Sequence, residues 1–146
     1  NNQRIRRNHI RATKPLFIID FWNDAPYVGG CIAAKYYSHI NNFGDVEPCI
    51  FTHFTQVNIK NTSLKKAMRC QFFQEIRKRQ PFSPNLLMPC MLIDHPKVIR
   101  ELCQTCHLRP THPGATTLIE DLKDDLDKYS LKVHQIYDKV WEEGGK

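Results

Sequence analysis

The sequence predicts a mixed α/β fold, reducing to α+β within these 146 residues, and three observations predict it. A continuous apolar run at residues 15–19 leads straight into a polar cluster, the pattern of a strand buried on both faces with functional groups at its carboxyl end. Two strand-like stretches at residues 36–40 and 46–51 flank turn chemistry, which reads as a hairpin. Three later stretches carry apolar residues at helical spacing.

In chain order, residues 1–13 read as the polar end of a helix, and residues 15–19 as the buried strand. Asp20, Phe21, Trp22, Asn23 and Asp24 follow, where α/β folds place functional groups. Asp20, Asn23 and Asp24 are therefore candidate substrate-binding residues, with helix capping or turn formation as their structural alternative. Pro26, Gly29 and Gly30 turn the chain into Cys31. In the hairpin, residues 41–45 are the turn, and Pro48 makes the second strand an edge or ends it, because proline has no N–H for a ladder.

A helix then starts at residues 61–63, with Leu64, Met68, Phe72 and Ile76 as its buried stripe, and stops before Pro81. Asp94, His95 and Pro96 read as another start, with proline in the first turn and Val98, Ile99 and Leu102 on the apolar side. Residues 110–114 break it. Thr117 and Glu120 have capping-box spacing ahead of an amphipathic helix carrying Leu118, Leu122, Leu126, Tyr129, Val133, Ile136, Tyr137 and Val140. An interruption is expected near Ser130, and the helix needs a surface to dock on.

An apolar fraction of 41% places the chain among folded proteins. No apolar run approaches the roughly 20 residues that span a bilayer, and the first one is too short for a signal peptide. The start at Asn1, without methionine, suggests a fragment or a processed chain. A reducing cytoplasm is the expected compartment, and there clustered cysteines argue for metal ahead of disulfides. Charge is uneven: residues 60–79 hold seven basic groups against one acidic, and residues 116–146 hold eight acidic against five basic. The basic stretch interleaves Phe72 and Phe73 but carries no recognised nucleic-acid-binding motif, so a solvated helix face is the simpler reading.

The informative constellation is Cys31, twelve residues, Gly44, four residues, Cys49, and then Cys90 after a helix. A hairpin and a distant loop can deliver thiolates to one iron–sulfur cluster, because clusters need sulfur ligands but tolerate irregular spacing. Zinc could take the same thiolates in a structural site. Cys70 falls on a ridge with Ala67 and Phe73, which favours core packing. Cys103 and Cys106 have C-x-x-C spacing, suited to metal or redox chemistry, yet are also one helical turn apart.

Gly30-Cys31, residues 37–41 and residues 44–51 together resemble the auxiliary-cluster region of radical S-adenosylmethionine (SAM) enzymes, the SPASM domain or its shorter Twitch form. That signature is a cysteine, a spacer of roughly nine to fifteen residues, a glycine, four residues and a cysteine, with further cysteines downstream. Asn58-Ile59, Ser63-Leu64, Phe72-Phe73, Pro89-Cys90, Ile93-Asp94 and residues 111–115 are similar to a subgroup of these enzymes. The resemblance covers about residues 14–117.

The resemblance implies an auxiliary [4Fe-4S] cluster held by Cys31, Cys49 and Cys90. Cys70, Cys103, Cys106, Asp94 and His53 are its candidates for a further ligand, unless that position is left to substrate. It implies the last strand of a partial barrel within residues 1–29, a cluster domain at 30–115 and a C-terminal amphipathic helix at 116–146. The barrel, SAM and a second [4Fe-4S] cluster would belong to the rest of the same polypeptide. Successive cysteines are separated by 18, 21, 20, 13 and 3 residues, so the CxxxCxxC triplet that cleaves SAM is absent from these residues. The parent would be an oxidoreductase acting on an unknown substrate. The rival readings are a zinc-stapled module and a basic nucleic-acid-binding domain.

Overall fold

The computed structural model describes residues 2–16, 18–22 and 24–144. Helix α1 (Asn2–Thr13) leads through an extended segment to the short α2 (Ala25–Val28). Strand β1 (His39–Ile40) pairs antiparallel with β2 (Val46–Glu47), with His39 opposite Glu47. Strand β3 (Phe54–Thr55) pairs antiparallel with β4 (Arg109–Pro110). Between β3 and β4 lie α3 (Leu64–Ala67), α4 (Gln71–Arg79) and α5 (Pro96–Thr105), and a 3-10 turn (Ala115–Leu118) precedes α6 (Lys123–Glu142). The result is α+β: helices around two small antiparallel sheets.

Phe72, Phe73 and Ile76 of α4 and Ile99 and Leu102 of α5 form the centre of the core, closed by Val46, Phe54 and Met91. Burying each large apolar side chain contributes about 1.5–3 kcal/mol. The expected hairpin forms, with shorter strands. Gly44 closes its turn at φ +92°, and a Cβ there would come within 2.9 Å of the Asn58 side chain. As expected, β2 ends where Pro48 follows it, and Pro96 stands in the first turn of α5.

Four expectations are corrected. The described residues of the 15–19 run form no strand, for no neighbouring strand lies beside them to complete a ladder. Leu16 is instead 59% exposed, and Arg11 of α1 takes the Ile18 carbonyl at 2.7 Å. The helix expected from residue 61 to 80 breaks into α3 and α4, because Cys70 adopts an extended conformation (ψ 159°) as the N-cap of α4. That break leaves Leu64 exposed while Phe72 and Ile76 are buried.

The last helix starts at Lys123, after the 3-10 turn, and runs unbroken through Ser130. Its docking is polar where an apolar stripe was expected, and no described residue of α6 is fully buried. The Ser130 hydroxyl donates to the Asp94 carbonyl at 2.6 Å, Arg100 pairs with Asp127 at 2.6 Å, and Asn85 donates to the Asp138 carboxylate at 2.9 Å. Strand β4 was not anticipated: a two-residue strand containing proline carries no alternation to read. Among the described residues, no helix is long and apolar enough to cross a membrane.

Candidate metal centre

Cys31, Cys49 and Cys90 come from three separate segments and line one pocket. Each is placed by local chemistry. Cys31 follows Gly29 and Gly30, both at positive φ, which turn the chain out of α2. Gly30 is buried, with Leu86 and Pro81 at 3.5 Å from where a Cβ would stand. Cys49 follows β2 and Pro48, and the Ala34 N–H donates to the Pro48 carbonyl at 3.0 Å, tying the Cys31 and Cys49 loops together. Cys90 sits in a tight turn in which the Asp94 and His95 N–H groups both donate to its carbonyl at 3.0 Å. The turn is closed from the other side by the Asp94 carboxylate, which accepts the Cys90 N–H at 2.8 Å.

The Thr52 hydroxyl is 3.1 Å from the Cys49 sulfur. The Ala33 N–H and the Gln80 carboxamide act on Cys31, and the Ile93 and Leu92 N–H groups act on Cys90, in each case favouring the thiolate. Burial opposes them and wins, pushing Cys31 up to about 11 and Cys90 up to about 12. Negative charge on Cys49 and Asp94 adds to the rise at Cys31, and charge on Asp94 and Cys31 adds to that at Cys90. Cys31 is thus within electrostatic reach of Cys49, Cys90 and Asp94, and Cys90 of Asp94.

Of the candidate further ligands, Asp94 lies nearest to this arrangement. It is buried, and burial raises its pKa. The Trp22 side chain, which lines the thiol pocket, partly counters that rise. His53 is turned elsewhere: it stacks on His112 at 5.5 Å and faces Glu47. Cys70, Cys103 and Cys106 form a second group between the N-terminus of α4 and the C-terminus of α5. Cys106 is buried in the core, and Cys70 and Cys103 pack against it. Burial raises the Cys70 pKa and pushes Cys103 up to about 11. The six cysteines are all free.

Asp20 and Asp24 border the thiol pocket together with Phe21, Trp22 and Phe51. The Asp24 carboxylate is buried and held by Arg11 and by Arg7 at 3.1 Å, and Arg11 keeps its pKa below the usual carboxylate value. Asp20 accepts from Arg7 at 2.9 Å. These two residues therefore anchor α1 beside the pocket. Asn23 lies outside the described residues. Trp22 lies 38% exposed at the pocket.

Sequence reasoning missed Thr52 and Gln80. Thr52 follows Cys49 by three residues, a local spacing that could have drawn attention. Gln80 donates to the Ala33 carbonyl, two residues beyond Cys31, across 47 positions and leaves no local signal. It also missed Glu47, buried in β2 beneath His39 at 2.6 Å and Thr111.

Among the described residues, no three His, Cys, Asp or Glu side chains converge closely enough to hold a single metal ion. Comparisons with protein families, with curated proteins and with solved structures found no match.

Proposed function

We propose that this chain is the auxiliary-cluster portion of a radical SAM oxidoreductase, in which Cys31, Cys49 and Cys90 ligate an iron–sulfur cluster, most simply [4Fe-4S]. The observation that carries the reading is that these three cysteines, two singled out by spacing from Gly44 and the third by its place after the helix, line one pocket although 59 positions separate the first from the last. Three further points support it. Each sulfur has N–H or O–H groups acting on it, as iron–sulfur ligands do. The pocket is bordered by Phe21, Trp22 and Phe51, an apolar surround that limits water at a redox centre. A cluster also asks less of the thiols than a single ion does, because each thiolate binds a different iron.

A bound cluster would supply one-electron chemistry, taking an electron from a substrate radical or returning one, or would offer an iron to anchor substrate. The chain's own residues would hold it, exclude water and bias its potential. The SAM-cleaving cluster and its barrel would belong to another part of the same polypeptide, and the cytoplasm would be its compartment. Asp94 is the favoured source of a fourth ligand, since it lies within electrostatic reach of two of the three sulfurs.

The test is anaerobic reconstitution with iron and sulfide, followed by absorption and electron paramagnetic resonance spectra. Wild type is expected to show broad visible absorption and a reduced-cluster signal, both lost in the Cys31→Ala/Cys49→Ala double variant. Identical spectra in the two proteins would overturn the assignment.

A further inference from the structure

We propose that the open apolar face of α6 is a homodimer interface: two copies of this chain pair their α6 helices antiparallel, as a short coiled coil. The inference is independent of the cluster reading.

The seam begins in the sequence. Leu122, Leu126, Tyr129, Val133, Ile136 and Val140 follow one another at alternating four- and three-residue steps. That is the repeat of about 3.5 residues that marks a coiled coil, a narrower stripe than a helix lying on a core presents. In the structure α6 runs unbroken from Lys123 to Glu142 with Leu122 as its N-cap, so all six lie along one side. None of the six belongs to the main core or packs against it. Leu122, Tyr129, Ile136 and Val140 are 44–61% exposed, and Leu126 and Val133 are half-buried.

Helix α6 is held to its own chain by a different face. Asp127 pairs with Arg100, Ser130 and His134 meet the Asp94 carbonyl, and Asp138 accepts from Asn85. At about 3.6 residues per turn, these positions centre roughly a third of a turn round the helix from the seam. The polar face docks the helix and leaves the apolar seam open.

The seam is complementary to itself. Turned about a two-fold axis level with position 131, it meets a second copy in layers: Leu122 on Val140, Leu126 on Ile136, and Tyr129 on Val133. Every seam residue finds an apolar or aromatic partner, and each layer occurs twice. The flanking charges favour this direction. Asp125 of one helix falls beside Lys139 of the other, again twice, while Lys132 meets its own counterpart once, near the axis. Parallel pairing would set Asp125 beside Ser130 and Lys132 beside Tyr137, with no ion pair. Within its own chain Asp125 has Lys128 at 3.6 Å, an exposed pair that contributes little and does not hold the carboxylate away from a partner.

The experiment is sedimentation equilibrium of the metal-free chain over a range of concentrations, with circular dichroism beside it. Wild type is expected to pass from 17.1 kDa to twice that mass as concentration rises. Ile136→Glu, at the most exposed position of the seam, should fold normally and lose the dimer. Asp125→Lys and Lys139→Asp should each weaken association about threefold or more, and the two together should restore it. A wild-type chain that is monomeric at every concentration would overturn the proposal, leaving the seam to another segment of a longer polypeptide or to a different protein. A dimer that survives Ile136→Glu would place the interface elsewhere and overturn it too. A dimer lost in Ile136→Glu but insensitive to both charge reversals would overturn the antiparallel arrangement.

Discussion

The chain holds two groups of three cysteines, and their surroundings differ in kind. Cys31, Cys49 and Cys90 line a pocket bordered by aromatic residues, with side-chain or backbone donors acting on every sulfur. Cys70, Cys103 and Cys106 belong to the main core between α4 and α5. There Cys103 is raised by burial and by Cys106, with no donor acting on it. Cys70 is intermediate, since the N–H groups of Phe73 and Phe72 act on it while its sulfur closes no cap hydrogen bond. Cys90 also touches the core, so burial alone does not separate the groups. Donors do not separate them either, since the Thr105 hydroxyl lies 3.8 Å from the Cys106 sulfur; what separates them is that Cys31, Cys49 and Cys90 share one pocket. A thiolate ligand needs that setting, whereas a thiol packed as a small hydrophobe does not.

The largest expected effect breaks this comparison along its main line. Single Cys31→Ala, Cys49→Ala and Cys90→Ala variants should each lose most of the iron and sulfide taken up on reconstitution. Cys70→Ala and Cys103→Ala should retain wild-type content. Metal analysis of the five proteins checks this, and loss in the second group would erase the distinction.

A smaller effect is expected in stability. Cys106 is 1% exposed among apolar neighbours, so Cys106→Ser would bury a hydroxyl and cost about 1–3 kcal/mol. Cys49→Ser, beside Thr52 and partly exposed, should cost under about 1 kcal/mol in the metal-free chain, within the range of substitutions away from packed features. Urea denaturation of both variants without metal measures the difference.

The smallest effect concerns the clamps on the pocket side and on the hairpin. Arg11 lowers the pKa of Asp24, and Arg109 lowers that of Asp45, each from 3.8. A lowered folded-state pKa contributes stability above the unfolded value, which is lost as pH falls through the folded one. Thermal stability should therefore fall as pH drops below about 4. Asp24→Asn should flatten part of that slope, and an unchanged slope would show that the clamp contributes nothing.

Much of the hairpin and the start of α5 was legible in the sequence because their signals are local: turn residues at 41–45, Pro48 after the strand, and Pro96 in the first turn of α5. Cys31 and Cys49 were picked out through the spacing around Gly44, whose positive φ and contact with Asn58 explain why glycine stands there, and Cys90 through its place after the helix. The failures have a common physical source. Residues 15–19 have the composition of a buried strand, but a strand requires a partner ladder that composition cannot supply. The break at Cys70 replaces one helix with two, and the apolar spacing from Leu64 to Ile76 continues across it unchanged. Gln80 and the docking of α6 on Asp94 depend on contacts across tens of residues, which periodicity does not record.

The most direct test of the central claim is the metal content of the chain purified without oxygen: iron, acid-labile sulfide and zinc per polypeptide. The cluster reading predicts about four irons and four sulfides with negligible zinc. One zinc per chain without sulfide, or no metal at all, would contradict it.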